Sequence, residues 1–173
     1  HCFAWDEGAV CKDFVDFFYP ISILEKELIL EVCRNKSIDG IVSIASDAAV
    51  PTVNFVANEL GLISNLYSDA LACTNKFEMR KRFIEYSVNC PKFLLSDGNI
   101  GHFGLRYPVI IKPVDRSGSR GVTKVYDQDE LQAAINRAES ESFSGNVIIE
   151  EYITGNEVSV ETISWEGEHY ILA

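Results

Sequence analysis

The chain has 173 residues, 47% of them hydrophobic and 24% charged, and a net charge of −11. That length holds one domain with a real core or pieces of two smaller ones. So acidic a chain is a poor general binder of nucleic acid, which is gripped mainly through phosphate neutralisation, and no apolar run approaches the roughly 18 residues that span a bilayer.

Along the chain, strand-like and helix-like patterns alternate, which predicts an α/β architecture. Phe18 to Ser22 predicts a short strand. Leu24 to Lys36, with apolar residues at 24, 28, 29, 32 and 33, has the rhythm of an amphipathic helix. "DGIVSIA" (39–45) predicts a strand, and "AAVPTVNFVANELG" (48–61) a helix. There Pro51 suits the first turn and Gly61 the C-terminal cap. The texture changes near 68–75, which predicts a domain boundary. Beyond it come a charged helix (76–87), a strand (92–96) and a polar loop (97–106). A hairpin-like pair of strands follows (108–114 and 121–126), then a helix (129–142) whose Asp127 and Glu130 form a capping box. Strands at 146–153 and 156–165 end in a turn at Glu166-Gly167.

Charge is unevenly placed. From Lys76 to Lys124 there are ten Lys/Arg against four Asp/Glu, a net of +6, which leaves 5 basic and 22 acidic residues, −17, elsewhere. A positive island in a negative chain suits a small polyanion held in a cleft. A solvated helix face accounts for residues 80–82, whereas Lys76, Lys112 and the arginines of the 115–121 loop call for an anion. The five cysteines (2, 11, 33, 73 and 90) are odd in number and contain no Cys-x-x-Cys pair. They predict reduced thiols and no zinc site. The chain does not open on a basic segment followed by an apolar one, so no signal peptide is expected and the cytoplasm is the expected compartment. His1, His102 and His169 stand alone and predict surface or loop positions.

The most informative stretch is "VIIKPVDRSGSRGV" (109–122). An apolar strand runs directly into Lys112 and Pro113, then into a loop rich in glycine, serine and arginine. It matches neither Gly-x4-Gly-Lys-Ser/Thr nor a Gly-x-Gly-x-x-Gly strand-to-helix turn, because the chain after Gly121 reads as a strand. A glycine-rich loop between two antiparallel strands is a flexible lid. Gly118 and Gly121 let backbone N–H groups approach closely, Ser117 and Ser119 add hydroxyls, and Arg116 and Arg120 add positive charge. A lysine on a core strand is costly unless it meets an anion or a carboxylate. Some forty residues on, "IIEEYITGNE" (148–157) ends a second apolar strand in two carboxylates and an aromatic. Such a segment offers adenine a backbone edge and a carboxylate further on for ribose hydroxyls.

Together, "NKFEMR", "YPVIIKPVDRSGSRGV", the following helix and "VIIEEYITGNEVSVE" resemble the ATP-grasp family in order and spacing over roughly 74–162. The carbamoyl-phosphate-synthase-like and amino-acid-ligase-like members are the nearest in style. Residues 1–70 resemble the α/β domain that precedes ATP-grasp. The fold implied is a partial Rossmann-like pre-ATP-grasp domain (1–70, incomplete at its start) followed by an α+β nucleotide-binding lid region (74–173, truncated at its end). The resemblance implies that ATP activates a carboxylate as an acyl phosphate, which an amine or similar nucleophile attacks to form a carbon–nitrogen bond. Position by position, Lys76 resembles the first phosphate-contacting basic residue. Lys112 corresponds to the lysine bridging the α-phosphate and the adenine side. Ser117, Gly118, Ser119, Arg120, Gly121 and Val122 correspond to the lid over the outer phosphates. Glu150 or Glu151 would face the adenine amino group, the backbone of Tyr152 and Ile153 would read the adenine edge, and Glu157 would hold the ribose.

The family's magnesium ligands lie further towards the C-terminus, and no residue before Ala173 matches them. The expectation is a fragment of a longer enzyme, inactive alone, with Mg2+ and the catalytic residues held by the remainder. Its partners would be small-molecule carboxylate and amine substrates, with neither nucleic acid nor membrane; oligomeric state is left open, a dimer included. A nucleotide-binding regulatory module without turnover and a structural α/β interaction domain are the alternatives. A thermal shift with ATP separates the last from the others.

Overall fold

The computed structural model describes residues 1–44, 46–96 and 104–173. Most of the 97–106 loop, with His102, lies outside these residues. The fold is mixed α/β, with two cores. The first is helical: α1 (Lys26–Lys36) packs on α2 (Val50–Leu60) through buried Ile29, Leu30, Cys33 and Val56. Two-residue strands β1 (Cys2–Phe3) and β2 (Phe18–Tyr19) pair in parallel beside it. Pro51 sits in the first turn of α2, and Gly61 ends the helix at φ 68°, a left-handed conformation that costs glycine little. On α2, buried Asn54 accepts from the Asn65 N–H at 3.0 Å and exposed Asn58 from the Tyr67 N–H at 3.0 Å. These side chains lead the chain into α3 (Tyr67–Thr74), which runs almost directly into α4 (Lys76–Glu85).

The second core is a four-stranded sheet covered on one face by a helix. β3 (Phe93–Ser96), β4 (Val109–Pro113), β5 (Thr123–Val125) and β6 (Val147–Glu151) stand in the order β3-β6-β4-β5, every neighbouring pair antiparallel. Alternation along β4 decides the faces. Val109 and Ile111 point at α5 (Gln128–Glu141) and are fully buried against Val125, Leu131, Ile135, Val147 and Ile149. Ile110 and Lys112 point away from α5, as do their register partners Glu150 and Ile148. The cap forms with its return bond shifted by one residue: the Asp127 carboxylate accepts from the Asp129 and Glu130 N–H groups at 3.0 and 3.2 Å, and Glu130 reaches back past the N-cap to the Tyr126 N–H at 2.9 Å. A last hairpin, β7 (Thr162–Trp165) and β8 (Glu168–Ile171), turns at Glu166 and Gly167, both with positive φ.

Two expectations need correction. The described part of 39–45 forms no ladder, because β1 pairs only with β2 and no described strand lies alongside; Val42 and Ile44 are 79% and 88% exposed. The predicted strand 156–165 is regular only from Thr162, where β8 supplies a partner, with Glu161 extending the pairing through Ala173 and Leu172.

Candidate functional site

The sheet face turned away from α5 floors a cleft of about 810 Å³. Its floor is Ile110, Lys112 and Glu150, its roof is Asp115 to Ser119 with Val122, and one end is Glu151, Tyr152, Ile153 and Glu157. Leu24, Asp47, Ala48, Pro51 and Leu71 from the helical half close the far side. Every residue singled out in the sequence as a nucleotide contact lines this cleft except Arg120 and Gly121. Arg120 is exposed, and Gly121 packs outward on Pro113 and Glu141.

Glu150 organises the floor. Buried at 3% exposure, it accepts from Lys112 Nζ at 2.6 Å on one oxygen and from Arg80 Nε at 2.9 Å on the other. Removing this buried carboxylate would strand two cations. The Lys112 ammonium carries three N–H donors, so its bond to Glu150 leaves donors for an anion. Glu151 stands opposite Val109, on the alternate side of β6, so its side chain makes no part of this network. Arg80 corrects the expectation of a solvated face at 80–82: its side chain is 15% exposed and turned inward. Lys81 and Arg82 do form exposed pairs, with Glu78 and with Asp69 and Glu85. The signal for Arg80 was its position four residues after Lys76, one turn along the same helix face.

Lys76 is placed by the start of α4. The Asn75 side chain caps that helix, accepting from the Phe77 and Glu78 N–H groups at 3.0 and 3.2 Å. The Lys76 N–H donates to the Val114 carbonyl at 2.8 Å, and its Nζ to the Arg116 carbonyl at 2.5 Å. Burial, followed by the neighbouring Lys112 charge, pulls the Lys76 ammonium below its usual range, against Asp115, Glu150 and Asp47. A cation lacking full compensation in a cleft is receptive to an anion.

The loop divides into a fixed stem and a free tip. Asp115 accepts from the Ser142 hydroxyl at 2.8 Å, the Phe143 N–H at 3.1 Å and the Ser144 N–H at 2.8 Å. Burial pushes its carboxyl up, but the bonds from Ser144, Ser142 and Phe143 outweigh it and leave it below the ordinary carboxylate range. Arg116 stacks over Phe143 at 4.3 Å and reaches Glu141 at 3.4 Å, so the stem is tied to the end of α5. Ser117 to Arg120 are exposed, with Gly118 at φ 66° and Ser119 at φ 57°. At the cleft's other end Lys124 Nζ lies 3.5 Å from the Tyr152 ring centroid, and the Tyr152 N–H donates to the Pro108 carbonyl at 3.3 Å. Sequence reasoning missed Met79, Asp47 and the apolar wall of Leu24, Pro51 and Leu71. Ordinary helix and loop residues carry no local sign of facing a cleft.

Among the described residues no group of three or more His, Cys, Asp or Glu side chains can hold a metal. Glu150 is committed to two cations, so these residues do not fit a magnesium site. Also among the described residues, no helix is long and apolar enough to cross a membrane.

Residues 105–173 match the family model described as the ATP-grasp domain. The chain is 28% identical over 134 residues to the ATP-grasp enzyme fsqD of Aspergillus fumigatus, covering 77% of this chain and 23% of that protein. It is 33% identical over 104 residues to a D-alanine–D-alanine ligase of Flavobacterium psychrophilum, covering 60% and 30%. The crystal structure of an L-amino acid ligase from Bacillus licheniformis superposes with a TM-score of 0.75 at 25% identity, over 91% of this chain and 38% of that one. The chain thus spans less than a third of the length of these two curated relatives.

Proposed function

We propose, from the match of residues 105–173 to the ATP-grasp domain and the likeness to an L-amino acid ligase structure, that this chain belongs to the ATP-grasp family and that its cleft is the ATP-binding part of a carboxylate–amine ligase. The observation that carries the reading is the convergence of Lys76, Lys112 and Arg116 on one cleft beneath a glycine- and serine-rich loop, with Arg80 holding the Glu150 of its floor from outside the lining. On this reading Lys112 and Lys76 meet phosphate oxygens, and the backbone N–H groups and hydroxyls of Ser117 to Ser119 close over the outer phosphates. The strand end 150–153 lies along the adenine. With the Tyr152 N–H committed to Pro108, the base meets backbone carbonyls and the Ile153 N–H. Glu157 accepts from the ribose hydroxyls. Residues 1–70 and 74–173 act as a pre-domain and a nucleotide-binding region, and ATP turns a small carboxylic acid into an acyl phosphate for attack by an amine. The acid and amine are small molecules, and residues outside this chain complete the reaction, including any magnesium ligands.

The test is a competition titration of ATP against GTP, repeated with Lys112→Met and Glu157→Ala. Guanine presents an acceptor at O6 and a donor at N1, inverting both contacts of an adenine edge, so ATP should bind more tightly. Lys112→Met should nearly abolish binding. Glu157→Ala removes a charge-assisted hydrogen bond of about 1.5–3 kcal/mol, or roughly 10- to 150-fold in affinity. Equal affinity for the two nucleotides, unmoved by either substitution, would overturn the reading.

A further inference from the structure

Outside the residues that line the candidate cleft, Cys2 on β1 and Cys11 in the short 3-10 helix Val10–Phe14 bring their sulfurs to 3.2 Å, closer than two non-bonded sulfurs normally rest. The contact is made from opposite ends of an eight-residue excursion whose geometry is held by independent contacts. β1 pairs with β2 at Cys2↔Phe18 and Phe3↔Tyr19, Phe3 stacks on Tyr19 at 5.0 Å, and Lys12 bridges back to Asp6 at 3.0 Å. Both thiols are part-exposed, and the residues flanking Cys11 in its helix are open to solvent, with Val10 78% and Phe14 82% exposed. The other cysteines make no such pair among the described residues: Cys33 is buried in the helical core, and Cys73 and Cys90 are free thiols without a sulfur partner there. 

We propose that Cys2 and Cys11 are a vicinal redox pair that reacts with low-molecular-weight disulfides of the glutathione class to form a reversible intramolecular disulfide. In the first step a thiolate of the pair attacks one sulfur of the small disulfide, releasing one thiolate that takes up a proton and leaving a mixed disulfide. The second cysteine, already in contact, loses its proton and attacks the protein sulfur of that mixed disulfide, expelling the second small thiol. Two protein thiols are oxidised to one disulfide, and one small disulfide is reduced to two thiols. Burial, then the hydrogen bond and charge of Cys11, raise the Cys2 thiol above its usual range, which suits Cys2 to the resolving step. Closing the bond would staple the 3-10 helix to β1, and Cys2 also lines a separate cavity of about 360 Å³ with Phe3, Cys33, Ile41 and Val42.

The experiment incubates the folded protein with glutathione disulfide, quenches with acid, alkylates the remaining thiols and maps them by mass spectrometry. The expected result is loss of two of the five thiols, with the peptide ending at Lys12 lighter by about 2 Da, unalkylated, and restored by dithiothreitol. Cys2→Ser and Cys11→Ser should each instead retain a glutathione adduct on the surviving partner, because nothing resolves it, while Cys73→Ser should behave as wild type. If either serine variant fails to fold, the wild-type map still decides the matter. Separate glutathione adducts on Cys2 and Cys11, or two free thiols there while Cys73 reacts, would overturn the proposal.

Discussion

Glu150 shows how one side chain fixes a site from beneath. Its two oxygens hold Lys112 at 2.6 Å and Arg80 at 2.9 Å, and all three side chains are at most 16% exposed. A buried carboxylate with two cationic partners is retained or lost as a set, because removing it leaves both charges uncompensated. Glu150→Ala should therefore cost about 3–5 kcal/mol in urea unfolding at neutral pH. A loss below about 1 kcal/mol would mean these contacts act like surface pairs. Asp115 offers a test with a pH signature. Its folded-state carboxyl lies below its unfolded value, so the stabilisation it supplies is present above the ordinary carboxylate range. That stabilisation drains away as pH falls through the depressed folded value. Asp115→Asn cannot titrate, so wild type should lose stability on acidification more steeply than the variant, and the two unfolding midpoints should converge at low pH. Parallel curves would remove Asp115 from the acid response.

At the scale of elements, the glycines of the 115–121 loop have different jobs. Gly118 and Gly121 share left-handed backbone, at φ 66° and 71°, which costs an alanine roughly 1–2 kcal/mol. Around Gly118 there is open space, but a Cβ on Gly121 would lie 2.9 Å from Pro113 Cγ and 3.0 Å from Glu141 Cβ. Gly121→Ala should thus add an overpacking cost of about 1–3 kcal/mol that Gly118→Ala escapes. Equal destabilisation of the two variants in thermal unfolding would show that the contact relaxes freely. Sequence made the strand–loop–strand unit legible because its signals are local: alternation in 109–113, glycine and serine in the loop, a capping pair at Asp127 and Glu130. It failed at 39–45 and 156–161, where the residues suit a strand but a ladder needs a partner that periodicity cannot report. The reading of 80–82 as a solvated face failed at Arg80 for a similar reason. Arg80 differs from its neighbours only by the helix face it occupies and by a glutamate seventy residues away.

Across the whole molecule, the cleft is shared by halves of unlike construction. The helices α1 to α3 and their loops contribute Leu24, Pro51 and Leu71, an apolar wall, while the cations come from β4, the loop after it and the start of α4. The fold class and the cation-bearing loop were readable before any coordinates; the way the two halves face each other was not, since nothing local encodes it. The order β3-β6-β4-β5 carries one more consequence. β6 has a hydrogen-bonded neighbour on each side, and α5 covers its lower face, whereas the loop tip above it touches little. Amide hydrogen exchange should register this as a gradient, with protons of Val147 to Glu151 among the last to be replaced by deuterium and those of Ser117 to Arg120 among the first. The same gradient bears on how a ligand would be retained: the floor of the cleft belongs to the slowest-opening part of the chain, so escape would be timed by the tip alone.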